Sequence, residues 1–217
     1  MKKLLSLAAA FLLCAGVQAQ IVSSRSVSIK SAQKQPSETQ WFLRGGLNVM
    51  KMTGAEDTGS KLGYNFVYGF QKPLGSIGTY WGMEFGLGSR GWKVEENESD
   101  YEYSLSLMAH NVQVSPFTFG YKYNITDALA VDAHLGAYVS CDYVGKIKEK
   151  ESYQGDSEET SVNMGDWEDW KRVDAGMNIG VGIWYDRFNL DFTYQRGFIK
   201  TWECNTSNVL IRLGVAF

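Results

Sequence analysis

Residues 207–217 read S-N-V-L-I-R-L-G-V-A-F, and this ending decides the fold. Val209, Ile211, Leu213, Val215 and Phe217 fall on one parity, with Asn208, Arg212, Gly214 and Ala216 on the other. Successive side chains of a strand point to opposite faces, so this is a strand with one oily side and one mostly polar side. It stops on an aromatic residue. A strand in a lipid-embedded barrel needs that division, because one side meets hydrocarbon and the other meets the lumen.

The same alternation recurs upstream. A strand over about 40–50 sets Trp41, Leu43, Leu47 and Val49 against Arg44 and Asn48. The clearest strand, about 61–72, sets Leu62, Tyr64, Phe66, Tyr68 and Phe70 against Gly63, Asn65, Gly69 and Gln71. A third starts near Thr79, with Trp81, Met83, Phe85 and Leu87 opposite Gly82, Glu84, Gly86 and Gly88. The fourth, 101–123, changes parity between Val114 and Phe117, which predicts a bulge near Ser115-Pro116. Strands over 129–143, 173–185, 188–195 and 207–217 complete a set of eight.

The connections alternate long and short. Tight turns are expected at 73–78, 124–127 and 186–187, and longer segments at 51–60, 94–101, 146–170 and 196–206. That inequality is the habit of outer-membrane barrels, whose short turns face the periplasm. An even strand number returns the last strand beside the first and leaves no open edge. The expected fold is all-β: an eight-stranded antiparallel up-and-down transmembrane barrel over 40–217.

Charge sorting supports the orientation. A Lys or Arg facing the bilayer midplane costs about 2–4 kcal/mol. Arg44, Glu84, Lys122, Asp132, Asp174, Asp191 and Arg212 all take the inward parity. They are read as a lumen charge network, packed and paired because eight strands enclose little more than side chains. A soluble lipocalin-like barrel would reverse the polarity, placing the bulky aromatics inside.

Residues 1–19 read as a secretory signal: Lys2 and Lys3, an apolar run to Cys14, and Val17-Gln18-Ala19 before the cut. Leu13 is too large for the position before a lipid-modified cysteine, so Cys14 is read as part of the apolar run. Residues 20–39, rich in Ser, Gln and Lys, form an expected flexible periplasmic arm. Removing Lys2 and Lys3 from 21 basic residues leaves 19 against 24 acidic, a net of −5, which does not favour nucleic acid. No second apolar run is long enough for a helical span. Mean hydropathy is −0.24, which a barrel tolerates because half of each strand is polar.

Residues suited to chemistry are sparse. His110 and His134 are the sole histidines. Folding about 124–127 sets His134 opposite residue 117 and His110 opposite 141, about 20 Å apart and too far for one metal. His134 points inward, and the face of His110 stays open. Cys141 and Cys204 both lie near outer strand ends, and their pairing is left open. Segment 146–170 carries three lysines against eight carboxylates and is read as a polar loop. Within it, Trp167 and Trp170 are candidate surface contacts, or members of an aromatic belt at the lipid interface. No phosphate-binding loop, zinc motif or nucleophile elbow occurs, and no cofactor is expected.

Leu62-Gly63-Tyr64 with Phe70, Val114-Ser115-Pro116-Phe117 leading to Gly120-Tyr121-Lys122-Tyr123, and the Leu210–Phe217 ending together resemble the small outer-membrane β-barrels of Bacteroidota, the PorT-like group. The resemblance covers about 40–217. It implies an outer-membrane barrel in a Gram-negative bacterium, and Phe217 resembles the terminal signal read by the barrel-assembly machinery. The expected partners are outer-membrane lipid, that machinery during biogenesis, and an extracellular or periplasmic protein. The expected function is non-enzymatic, structural or interactive at the cell surface. A small channel or transporter and a lipid-modifying enzyme are the rivals.

Overall fold

The computed structural model describes residues 38–54, 58–98, 101–153, 156–166, 170–201 and 203–217. The expected signal, its cut near Ala19 and nearly all of the arm lie outside the described residues. Ten strands follow in order: β1 Gln40–Thr53, β2 Thr58–Gly59, β3 Lys61–Pro73, β4 Thr79–Glu98, β5 Tyr101–Asn124, β6 Leu129–Tyr153, β7 Asp156–Asn163, β8 Val173–Tyr185, β9 Phe188–Gly197 and β10 Asn205–Ala216. A single 3₁₀ turn, Met164–Asp166, follows β7.

Eight of these strands close a ring by antiparallel pairing, β1–β3–β4–β5–β6–β8–β9–β10 and back to β1. The closing seam runs from Phe42↔Ala216 to Thr53↔Asn205. The terminal strand therefore pairs on both sides, with β1 and β9, and the ring has no free edge. The two short strands are additions: β2 pairs with β4, and β7 with β6.

The apolar parity faces out. Phe66 is 54% exposed and Ile211 41%, while Arg212 and Asp191 are sealed inside. Bulky outward side chains without neighbours above them are what a lipid solvent requires, and a soluble barrel would not present them.

The strands are unequal. β4, β5 and β6 run 20, 24 and 25 residues, whereas β8, β9 and β10 run 13, 10 and 12. A tilted strand crosses a bilayer in about 9–11 residues. Some ten residues of β4–β6 therefore continue past the barrel at the long-connection end, about 33 Å along the strands. This corrects two expectations. Glu95–Glu98 are strand, not loop, and the supposed polar loop 146–170 contains the rest of β6 and all of β7. Polar composition does not oppose strand pairing once the strand has left the lipid. Lys148 Nζ meets Glu159 Oε1 at 2.8 Å across β6 and β7, and Tyr103 Oη donates to Glu149 at 3.0 Å across β5 and β6.

Register breaks lie between Val114 and Phe117 and between Gly82 and Glu84, flanking the Ser115-Pro116 bulge. A further break, between His110 and Asn111, has no counterpart in the parity pattern. The pairings correct the sequence-based estimate: His134 faces Gly120 and His110 faces Val144. The turn lies at 125–128, slightly later than expected, and the two imidazoles are about ten positions apart.

Candidate functional site

The barrel interior is built in layers, and each layer follows from the inward parity of its strands. At the short-turn end Phe42, Val67, Ala130, Trp184 and Ala216 form an apolar floor. At the other end Met52, Trp92, Leu107, Ile147, Met164 and Trp170 form the main part of an apolar lid, which also holds Cys204. Between them lie two clusters of charge and a band of amides.

The first cluster joins five of the seven inward charges to each other. Arg44 Nη1 lies 3.1 Å from Glu84 Oε1 and 3.6 Å from Asp191 Oδ2. Arg212 reaches the same two acids, at 2.6 Å from Asp191 Oδ1 and 3.4 Å from Glu84 Oε2. Two guanidiniums thus share two carboxylates, and each acid bridges both cations. Thr193 Oγ1 donates to Asp191 at 2.9 Å and accepts from Arg212 at 3.0 Å. The third acid, Asp132, accepts from Tyr80 Oη at 3.2 Å and from Trp184 Nε1, and contacts His134 Nδ1 at 3.0 Å. His134 links it back to Asp191, 3.6 Å from Nε2. Lys122, the sixth, is half-buried at the short-turn mouth, its Nζ 3.7 Å from the Trp184 ring centre.

Close packing of this cluster depends on missing side chains. Gly180 pairs with His134 and Gly182 with Asp132. A Cβ at Gly180 would lie 2.5 Å from His134 Nε2, and one at Gly182 2.6 Å from Asp132 Oδ2. Glycine at these two positions gives the cluster its room.

The second cluster lies nearer the lid and includes the seventh charge. Arg90 Nη2 is 2.6 Å from Asp142 Oδ2, and Nη1 is 3.7 Å from Asp174 Oδ2. Neutral donors complete it. Trp170 Nε1 donates to Asp142 at 2.9 Å, Tyr138 Oη to Asp174 at 3.2 Å, and Thr206 Oγ1 to Asp174 at 2.5 Å. The Arg90 guanidinium also lies 4.8 Å from the Trp170 ring centre. The band between the clusters holds Asn48, Asn65, Asn111, Gln113, Asn178 and Gln195, all buried. It encloses a void of ≈ 10 Å³, about one water.

Trp170 corrects the sequence reading. It is 6% exposed and packs in the lid, so it is neither a surface contact nor part of a lipid belt. A buried acid recruited its indole N–H, a demand the sequence pattern does not display. Trp167 lies outside the described residues. Arg90 and Asp142 were not among the expected network residues. Inward parity was the signal available for both: Asp142 shares it with Asp132 on β6, and Arg90 with Glu84 on β4.

His110 turns outward. Its Nδ1 meets Tyr64 Oη at 2.9 Å, the two rings stack at 5.6 Å, and Tyr143 lies 6.4 Å away. No acid completes a relay with it among the described hydrogen bonds. Cys141 is exposed on the outer wall, Cys204 is buried in the lid, and both are free thiols. Phe217 is exposed at the chain end, its backbone exchanging hydrogen bonds with Trp41.

The family model described as outer membrane protein beta-barrel domain matches residues 31–203. Solved structures similar to this chain include the attachment invasion locus protein Ail of Yersinia pestis, in complex with the heparin analogue sucrose octasulfate, at 16% identity over 83% of this chain and 99% of that one, with a TM-score of 0.41. Neisserial surface protein A aligns at 13% identity over 82% and 97%, TM-score 0.40. The N-terminal β-barrel domain of Pseudomonas aeruginosa OprF aligns at 10% identity over 84% and 100%, TM-score 0.35. No curated protein matches the chain.

Proposed function

The chain belongs to the outer membrane protein beta-barrel domain family, and from that premise we propose that it is a closed, non-enzymatic barrel serving as a structural or interaction component of the cell surface. One observation carries the reading. The lumen is occupied by paired charges, amides and two apolar layers, and the void within the amide band measures ≈ 10 Å³ where a conduit would need a continuous aqueous path. A barrel that does not conduct must act through its surfaces. The most distinctive surface here is the sheet that β4–β7 raise beyond the barrel. The PorT-like affiliation within Bacteroidota, cleavage near Ala19, and recognition of Phe217 by the assembly machinery belong to the same reading, as does a protein partner for the raised sheet.

Planar-bilayer recording tests the closed lumen. Purified protein is expected to add almost no conductance, and steady nanosiemens openings would transfer the assignment to the channel class. The enzymatic rival rests on His110, whose described neighbours are tyrosines. Mass spectrometry of outer-membrane glycolipid incubated with the protein is expected to show unchanged acylation. A His110-dependent change in acyl number would displace the proposal.

A further inference from the structure

The outward face carries three tiers, the lowest centred on β3–β5 and the upper two on β4–β6. The lowest is an apolar groove of ≈ 420 Å³ on the lipid-facing wall, whose lining includes Phe66, Phe85, Leu87, Val112 and Val114. Above it stand Tyr64, His110 and Tyr143, a ring cluster of the kind that marks a membrane–water boundary. From Val112 to Ser106 on β5 the strand climbs six residues, about 20 Å. With the usual barrel tilt that is about 15 Å of height.

The second tier lies at that height. The register pairs Lys93 with Ser106, and Ser106 with Lys148, so these three residues share one row and one face. The two lysine backbones are two strands apart, about 10 Å, with a hydroxyl between them. Lys146 stands one row lower on the same face of β6. Lys146 has no acidic partner among the described ion pairs. Lys93 and Lys148 pair with Glu95 and Glu159 at 2.8 Å, but these pairs are solvent-accessible and readily exchanged.

The third tier is a polar cleft of ≈ 340 Å³ directly above, lined by Glu95, Glu102, Tyr103, Ser104, Lys150 and Ser152. Its mixture of carboxylates, serine hydroxyls and an ammonium suits the many hydroxyls of a sugar. Apolar groove, cationic row and hydroxyl-binding cleft, in that vertical order, match the acyl chains, phosphate and saccharide of one molecule.

The geometry points to a binding site for a phosphorylated glycolipid of the outer leaflet, its phosphate held by Lys93, Lys146 and Lys148 on the outer wall of β4–β6. This rests on the outer-membrane reading and adds a specific lipid to it. Charge complementarity and continuity with the lipid-facing wall argue for a lipid phosphate over a soluble one. Clustered lysines at a membrane surface each contribute about fivefold to anionic-lipid affinity.

The full chain, reconstituted in phosphatidylcholine nanodiscs doped with diphosphorylated lipid A, tests the site by native mass spectrometry. Wild-type protein is expected to retain that lipid in strong preference to its enzymatically dephosphorylated form, with inorganic phosphate failing to compete. The K93Q/K146Q/K148Q variant is expected to lose retention by about 100-fold. K200Q, at a lysine in the connection between β9 and β10, is expected to retain it. Equal retention of the two lipid forms, or no loss in the triple variant with an unchanged circular dichroism spectrum, would overturn the site. Flotation with vesicles separates the two readings. Protein that floats without lipid preference overturns this inference alone, and folded protein that does not float overturns the outer-membrane reading as well.

Discussion

The two charge clusters inside the barrel solve one problem differently. In the first, Arg44 and Arg212 each meet both Glu84 and Asp191, while the third acid, Asp132, is met by Tyr80, Trp184 and His134. In the second, Arg90 alone faces Asp142 and Asp174, and indole, phenol and hydroxyl donors supply the rest. The first lies deep between polar band and floor, where an unpaired ion has no water to turn to. The second sits beneath the lid, close to the end where the chain leaves the lipid, and a single guanidinium serves both of its acids there. Ion pairs that bridge two cations and two acids gather where solvent is furthest.

That contrast is breakable. Asp191→Asn leaves two guanidiniums to share Glu84 alone and is expected to cost about 3–5 kcal/mol in denaturant unfolding from lipid vesicles. Asp142→Asn leaves Arg90 its second acid and is expected to cost less, about 1–3 kcal/mol. An equal or reversed order would erase the distinction between the clusters. Gly182→Val drives a side chain onto Asp132 and is expected to cost about 1–3 kcal/mol by the same measurement. Trp170→Phe keeps the ring over Arg90 and removes only the donor to Asp142, so about 1–2 kcal/mol is expected. Lys148→Gln, on the sheet outside the barrel, is expected to change stability by less than about 1 kcal/mol. A large loss there would mean that the raised sheet is coupled to the barrel interior.

The same contrast separates what the sequence discloses from what it conceals. The first cluster is legible because Arg44, Glu84, Asp132, Asp191 and Arg212 each sit mid-strand in clean alternation, where parity alone assigns the face. The second is not. Arg90 follows Gly88 and Ser89 where β4 loses its alternation and every residue to Trp92 is buried. The break at His110/Asn111 shifts the register of β5 against β6 below the lid. Trp170 lies outside any strand, where periodicity carries no information. Which acid meets which base also depends on strands that are not neighbours, as with Arg90 on β4 and Asp142 on β6, and no local pattern encodes that. The raised sheet was missed for a related reason. Its charged residues resemble a loop by composition and form strands through cross-strand pairs that composition does not show.

The outward face of the barrel meets acyl chains, and the inward face does not. Tryptophan quenching by brominated phospholipid reads that division directly, because Trp41 and Trp81 belong to the outward parity and Trp184 is sealed inside against Asp132. Replacing Trp41 or Trp81 with Phe should remove emission that the brominated lipid quenches, and replacing Trp184 should remove emission that it leaves untouched. Quenching of Trp184 with protection of Trp41 would contradict the orientation, and with it the assignment of the lumen.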